Sequence, residues 1–477
     1  MKIEGYLSDI EFYSNVHDPL TRYAEFEVPS LGDGGIAHKM FVDMEDEKLL
    51  SYIRVFILPE VGGKASASVL LQEVKDLINL YGNPDTVAPR VRTAGKLCEG
   101  LIEYDLNTPS HEYVRVTSEG WRVVKKAKHK FLKRNTLGAQ VLPVRTDKNL
   151  LSLLAPFVNT DKEGLMIFTT WLVQAFCMGN HSALLAVAEA GAGKSTATKF
   201  ARHILDPSNL QATVMPVKKD DLFSILSNAY FVAFDNTSEE FFTKEISDIL
   251  CSAITGSTMA KRKLYTTNEL GVYELHSALI INGIDIIPTQ SDLASRCLLL
   301  KLKPIDESHR KTDEELTRAF KRSLPEILGA IFDALSKAMT IIKTLKPAKL
   351  PRMASSYIEM LAVAIALGIS ESDFESIYFA NLALMDKARA NIAVVEAVRE
   401  YMNSEFVTGR SIEGKVGDIY SKISANYSGS NRDFPKSPSQ FSRKLRQELK
   451  TFHAIKLNVI LDDTFADGTH LKIVKEK

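Results

Sequence analysis

The sequence predicts an α/β protein in four parts: a mostly β accessory part over residues 1–145, a core of alternating strands and helices over 146–305, a helical bundle over 306–407, and a tail of helix, helix and hairpin over 408–477. Three observations predict it. Short alternating segments with Gly- and Pro-marked turns fill the first part. After Asn180, apolar strand-like runs alternate with helical patterns up to about Pro304. Beyond Asp306 nearly every apolar position recurs at helical spacing.

Taken in order, residues 24–28, 52–58, 101–105 and 113–116 read as strands, and one helix, 67–80, ends at the turn Gly82-Asn83-Pro84. Residues 150–178 read as helical. The core strands are the apolar run before Ala188, then 229–234, 277–281 and 297–302. The bundle helices are 314–324, 325–345, 357–367, 374–388 and 393–406. In the tail, helices 416–424 and 438–450 precede strands 456–461 and 470–474, joined at Asp467-Gly468, which is the outline of a winged helix.

Composition excludes several classes. With 45% hydrophobic and 25% charged residues, the chain is neither disordered throughout nor a membrane channel. Fifty-nine basic residues balance fifty-nine acidic ones, so affinity for nucleic acid has to come from local patches. Cys98, Cys177, Cys251 and Cys297 are scattered without a CxxC pair; His181 near Cys177 is too little for a zinc site, and buried free thiols in a reducing cytoplasm are expected. The N-terminus lacks the bases and apolar stretch of a signal peptide, and 165–178 is too short and polar to span a bilayer, so no membrane partner is expected.

The chemistry is carried first by Ala188-Glu189-Ala190-Gly191-Ala192-Gly193-Lys194-Ser195, set between an apolar strand and a helix and followed by Thr196. This is the phosphate-binding loop pattern with alanine for its first glycine. Small residues let backbone N–H groups face a β-phosphate, Lys194 reaches the β/γ-phosphates, Ser195 ligates Mg²⁺, and the helix N-terminus adds a positive dipole end. Downstream, a buried strand ends in Asp235-Asn236, where a carboxylate can hold the same Mg²⁺. Asn236 stands where many such ATPases carry an acid, so either it positions water or Glu239, Glu240 or Asp248 does. A second strand ends in Asn282-Gly283, the place for a γ-phosphate sensor or for an Asn-Gly turn. Arg296, just before the last core strand, reads as an arginine finger acting on a neighbour's nucleotide or as a surface ion pair. Lys261-Arg262-Lys263 lead into a hairpin turn at 268–271, either tracking single-stranded nucleic acid by its phosphates or forming a solvated charged loop.

That order of loop, Asp-tipped strand, basic hairpin, Asn-tipped strand and arginine resembles superfamily 3 helicases of the AAA+ class. The segments Tyr104-Asp105-Leu106, Gly120-Trp121-Arg122-Val123-Val124, Phe234-Asp235-Asn236, Thr255-Gly256, Leu264-Tyr265 and Ile281-Asn282-Gly283 look like those of phage, plasmid and mobile-element replication ATPases, including the helicase part of primase-helicases. The likeness spans about residues 90–305 and leaves 1–90 unplaced. It implies an AAA+ core, ATP and Mg²⁺ at the subunit interfaces of a hexameric ring, and single-stranded or forked DNA drawn through the pore, with a separate primase or polymerase as a possible partner. Carried over by position, Lys194 and Ser195 bind phosphate and Mg²⁺, Asp235 is the Walker B acid, Asn282 the sensor, Arg296 the finger, and Lys261, Arg262 and Lys263 lie on the hairpin. A nucleotide-gated origin-binding initiator and an AAA+ protein remodeller are the alternatives. Two more basic groups fit the reading: residues 122–134, with seven bases and no acid, and Arg443, Lys444 and Arg446 on the presumed recognition helix of the tail.

Overall fold

A computed structural model describes residues 9–475 apart from 19–20, 30–37, 60–65, 82–83, 189–190, 210–211, 263–269, 285, 289, 306–309, 405–406, 408–410, 429–433 and 463–467. The chain forms two compact units, Met1–Ile286 with Arg296–Tyr378, and Ile287–Ser295 with Phe379–Lys477. The accessory part, most of the α/β core and the first bundle helices fall in the first unit, and the tail falls in the second.

The first unit begins with β1 (Glu11–Asn15), β2 (Arg22–Val28) and β3 (His38–Asp43), then α1 (Glu47–Tyr52), α2 (Ala67–Tyr81) and β4 (Asp85–Val87), and its strands form a sheet in the order β3-β2-β1-β4. The run 52–58, expected as a strand, is instead helical: α1 continues as a π-turn over Ile53–Ile57. The cause is tertiary. Leu49, Tyr52, Ile53 and Ile57 recur at helical spacing and are buried with Phe12, Ala24 and Phe26 of the sheet, and the Asp46 carboxylate caps α1 by accepting from Lys48 N at 2.8 Å.

A second sheet, β5 (Thr93–Ala94), β6 (Leu101–Asp105), β7 (Tyr113–Thr117) and β8 (Gly120–Val124), is an antiparallel meander. Arg92, 0% exposed, fastens it to the core: its guanidinium donates to Asp206 Oδ1 at 2.7 Å and to the carbonyls of Asp105, Gly138 and Pro207. Tyr104 Oη donates to the Leu205 carbonyl and Trp121 Nε1 to Asp333. The Tyr104-Asp105 and Trp121 segments that carried part of the family likeness thus serve docking.

The core contains α3 (Leu150–Leu154), α4 (Lys162–Gln174), β9 (Ala183–Val187), α5 (Lys194–Leu205), α6 (Lys219–Asn228), β10 (Phe231–Thr237), α7 (Lys244–Thr255), β11 (Ser257–Arg262), β12 (Leu270–Leu275) and β13 (Ala278–Gly283). After α8 (Ser291–Ala294), which lies in the second unit, come β14 (Cys297–Lys301), α9 (Asp313–Ile341), α10 (Ala354–Ala366) and the first turns of α11 (Glu371–Asn403). The expected continuous helix over 150–178 is broken, because Pro156 lies in a tight turn and Asp161 caps a fresh helix through Gly164 N at 2.7 Å. Strands β10-β13-β9-β14 pair in that order, all parallel. Their nearly unbroken apolar runs are what a parallel sheet covered on both faces requires. The chain leaves β9 by α5 and returns two places away at β10, so the loop after β9 opens at a topological switch point. Strands β11 and β12 form a separate hairpin running from Ser257↔Leu275 to Arg262↔Leu270.

Two bundle expectations are corrected. Residues 313–341 are one helix despite Pro325, since the buried stripe Leu324, Ile327, Leu328, Ile331 and Leu335 runs on past the proline and the carbonyl it orphans belongs to exposed Lys321. Residues 371–403 are likewise one helix, there being no Gly or Pro between the two expected ones.

In the second unit, β15 (Ser411–Lys415), α12 (Val416–Asn426), α13 (Pro438–Gln447), α14 (Leu449–Ala454), β16 (Leu457–Asp462) and β17 (His470–Lys475) surround one apolar core that includes Ile419, Phe441, Phe452, Leu471 and Ile473. The sheet is antiparallel in the order β15-β17-β16, and β15 is a strand that the sequence pattern did not reveal. The turn at Asp467 lies outside the described residues.

Candidate nucleotide site

The loop after β9 has the geometry its residues foretell. Gly191 and Gly193 sit at φ +80° and +82°, the left-handed region where a side chain would be strained. Gly193 is the N-cap of α5 and has no side chain with which to cap the first amides of that helix. Ala192 is buried, and Thr196 follows on the first turn. Lys194 Nζ donates to the Ala188 carbonyl at 2.6 Å, which holds the ammonium across the loop. Glu189 and Ala190 lie outside the described residues.

Ser195 Oγ donates to Asp235 Oδ1 at 3.0 Å, joining two motifs that are forty residues apart in sequence. Two oxygens at that spacing on a helix N-terminus and a strand tip suit a hard divalent cation: adjacent ligands of octahedral Mg²⁺, each at about 2.0–2.1 Å, stand about 2.9 Å apart. The residues present therefore fit both a nucleotide phosphate and Mg²⁺. Among the described residues no group of three or more His, Cys, Asp or Glu side chains forms a metal cluster, so a cation here would share its shell with phosphate and water.

Beside them β10 bulges between Phe234 and Thr237, and Asn236 is exposed at φ +52°, a conformation asparagine tolerates. Asn282, 1% exposed, accepts from Asn236 N at 3.1 Å and donates to Thr198 Oγ1 of α5 at 2.8 Å. Its amide braces the tip of β10 against α5. A Cβ at Gly283 would collide with the Thr237 carbonyl, so the Asn-Gly pair is also dictated by close strand approach. Of the other acids considered, Glu240 accepts from Ser238 Oγ, Asp248 is exposed on α7, and the Glu239 side chain is not described. A cation that sequence reasoning missed lies here too: Arg310 Nη2 is 3.7 Å from where a Cβ on Gly191 would be. It follows the last core strand in a stretch without periodicity, and no pattern marks it.

The remaining predicted residues are elsewhere. Arg296 stands at the amino end of the sheet, where β14 begins at Cys297↔Ala183, and its Nη1 lies 3.5 Å from Cys251 Sγ. Lys261 and Arg262 are on β11, though their side chains are not described, and Lys263 lies outside the described residues. On α13, Phe441 and Leu445 face the core, leaving Arg443 and Arg446 exposed and Lys444 half-buried, with its pKa lowered by burial and by Lys387 and Arg443 nearby. Three of the seven bases in the run 122–134 are paired: Lys125 with Glu112 at 2.9 Å, Lys130 with Glu25 at 2.6 Å, and buried Lys133 with Asp105 at 2.6 Å. Arg122, Lys126 and Lys128 of the same run are exposed.

Residues 148–374, just under half of the chain and centred on this site, match the family model of the actinomycete integrative conjugative element replication protein. The centre of the chain is thus similar to a replication protein of a mobile element. No curated protein matches. Among solved structures, two apo A-form structures of the NrS-1 C terminal region align over 98% of this chain and 97% and 96% of theirs, at 12% identity and TM-scores of 0.37 and 0.35; nothing about activity follows from likeness at that level. Among the described residues no helix is long and apolar enough to cross a membrane.

Proposed function

We propose that the chain is an ATP-dependent DNA helicase or translocase serving the replication of a mobile element, working as a hexameric ring with an AAA+ core and a winged-helix tail. The observation that carries the reading is the Ser195–Asp235 contact, at 3.0 Å, beside the uncapped start of α5. The supporting finding is the replication-protein match over the same residues.

In this reading Lys194 and the amides of 191–196 bind ATP phosphates, and Ser195 and Asp235 hold Mg²⁺, which supplies charge neutralisation on the phosphates when bound. Asn282 keeps Asn236 and Asp235 in register with α5, and exposed Asn236 orients the attacking water. Arg310 adds positive charge beside Gly191. Arg296, at the opposite end of the sheet from its own phosphate loop, serves a neighbour's nucleotide. The hairpin from Lys261 to Lys263 grips single-stranded DNA, and Arg443, Lys444 and Arg446 meet the duplex. Three antiparallel strands with three helices around one core support the winged-helix assignment.

Strand displacement on forked DNA tests the whole. ATP-dependent unwinding is the expected result. ATP hydrolysis that DNA does not stimulate, without displacement, would sink the translocase and leave an initiator or a protein remodeller.

A further inference from the structure

The first unit contains a cleft of about 810 Å³ on the side of the core away from the phosphate loop, bounded by the N-terminal sheet, the end of α6 and the hairpin strand β12. Its walls include the amino-end residue Tyr230 of the sheet, so it is a different place from the site at the strands' carboxyl ends.

Most charges lining it are already paired. Lys75 meets Glu45 at 3.2 Å, and Arg90 meets both oxygens of Glu274 at 3.1 and 3.3 Å. Arg22 and Arg134 differ. Nε and Nη1 of Arg22 and Nε of Arg134 are shielded from solvent and have no hydrogen-bond partner among the described residues. The nearby acids Asp18 and Asp43 act on them by charge without hydrogen-bonding these nitrogens: Asp18 accepts from Thr21 Oγ1 at 2.8 Å, and Asp43 from Glu45 N at 2.9 Å. Burial lowers the pKa of Arg22, and Asp18 opposes that only partly.

Guanidinium N–H groups withdrawn from water and left without acceptors cost free energy unless something supplies oxygens to them, and the planar fork of donors matches phosphate. Tyr273 of β12 lines the same cleft, 39% exposed and edge-on to Phe223 at 5.3 Å between ring centres. An exposed, braced aromatic ring is a stacking platform for a nucleobase.

We propose that this cleft is a second nucleotide-binding site, in which Arg22 and Arg134 take a phosphate and Tyr273 takes a base, and that the nucleotide belongs to a single strand passing the root of the hairpin. The phosphate site rests on the cleft's own groups. Only the choice of a strand over a free nucleotide rests on the translocase reading.

The test uses the full chain in a Lys194→Ala background, which silences the phosphate loop, and measures binding of labelled oligothymidylate and, separately, of a fluorescent ADP. Replacing Arg22 and Arg134 together by glutamine is expected to weaken oligonucleotide binding about tenfold or more and to lower the slope of log affinity against log salt by about 0.7 for each phosphate no longer neutralised. Ser224→Glu, an exposed change on the cleft wall, is expected to weaken it in the same direction without touching the buried groups. Loss of residual ADP binding in these variants with oligonucleotide binding unchanged keeps the phosphate site and assigns it to free nucleotide. If Ser224→Glu and the double variant bind both ligands like their parent, the proposal is overturned; should the double variant not fold, Ser224→Glu decides alone. Because no arm requires hydrolysis, a chain that proves inactive as an ATPase defeats the proposed function and leaves this result standing.

Discussion

The two ends of the parallel sheet are built from the same strands and do opposite things with polar groups. At the carboxyl end, Ser195, Asp235 and Asn236 are at least partly exposed and the start of α5 is uncapped. At the amino end several buried polar groups are closed on one another: Tyr230 Oη donates to the Ala175 and Cys177 carbonyls, Ser277 Oγ to Ala229, Trp171 Nε1 to Ser182, and Gln174 to Glu359 at 2.8 Å. The named side chains at the first end are available to a ligand, and those just named at the second are part of the packing. The difference also explains why Asn282 is both: it sits at the open end, yet its amide is spent bracing Asn236 and Thr198.

The sharpest way to break the contrast is at the open end. Lys194→Ala is expected to lower ATP turnover on the order of 10²–10³-fold, in keeping with the removal of one well-placed charge from a transition state, while leaving the thermal transition near that of the parent, since the side chain fills no core. A turnover like the parent's removes the phosphate-loop assignment.

Next in size is the pair Asp235 and Asn236. Asp235→Asn is expected to lose Mg²⁺-dependent hydrolysis, because the amide that replaces the carboxylate is a far weaker cation ligand. Asn236→Asp, by contrast, is expected to keep or raise it. The Asp variant also gives up some ease at φ +52°, which aspartate shares with asparagine only in part. Rates measured across a Mg²⁺ titration, with the opposite ranking, would show the Walker B acid to be misplaced.

Arg296 tests whether the closed end is wholly structural. As a finger, Arg296→Ala binds ATP nearly as the parent does but hydrolyses it poorly, and mixing it with Lys194→Ala restores some activity, because mixed rings contain an intact Lys194 facing an intact Arg296. As a strut against Cys251, it lowers the melting temperature, and mixing restores nothing. Titrating one variant into the other at constant total protein reads the two apart.

The open end was legible in the sequence because its chemistry is local. Gly191 and Gly193 at left-handed angles, Lys194 and Ser195 opening a helix, and acids or amides at strand tips are fixed by short-range geometry, and the structure brings Ser195 to Asp235 as the motif order implies. What failed was what tertiary packing decides. The 52–58 run is apolar enough for a strand, but it folds as helix over a sheet already complete. Pro325 reads as a helix stop until the buried stripe on either side of it is seen. Lys125, Lys130 and Lys133 look like part of an open basic run until Glu112, Glu25 and Asp105 are found beside them. Arg310 and the Arg22–Arg134 cleft depend on long-range placement alone.

The smallest expected effect comes from the closed end and has a definite sign. Glu359 of α10 is buried against Gln174, and burial holds its pKa up at about 7, against an ordinary 4.5. Folded, it therefore keeps its proton where the unfolded chain gives it up. Its contribution is fully present below pH 4.5 and is lost as pH rises toward 7, where the folded protein must ionise a carboxyl with little water. Glu359→Gln keeps an acceptor for Gln174 but cannot ionise, so it should raise the melting temperature above pH 7, with the gain shrinking as pH falls and vanishing near pH 4.5. Buried His181, its pKa pushed down to about 3 by burial and by His276, works in the other direction: its contribution is present above 6.5 and fades as pH falls, and it is common to both proteins. The difference between the two melting curves therefore isolates the carboxyl. A gain of equal size at about pH 5 and about pH 8 would mean that the substituted amide merely packs better than the carboxyl, and that the closed end carries no strained proton.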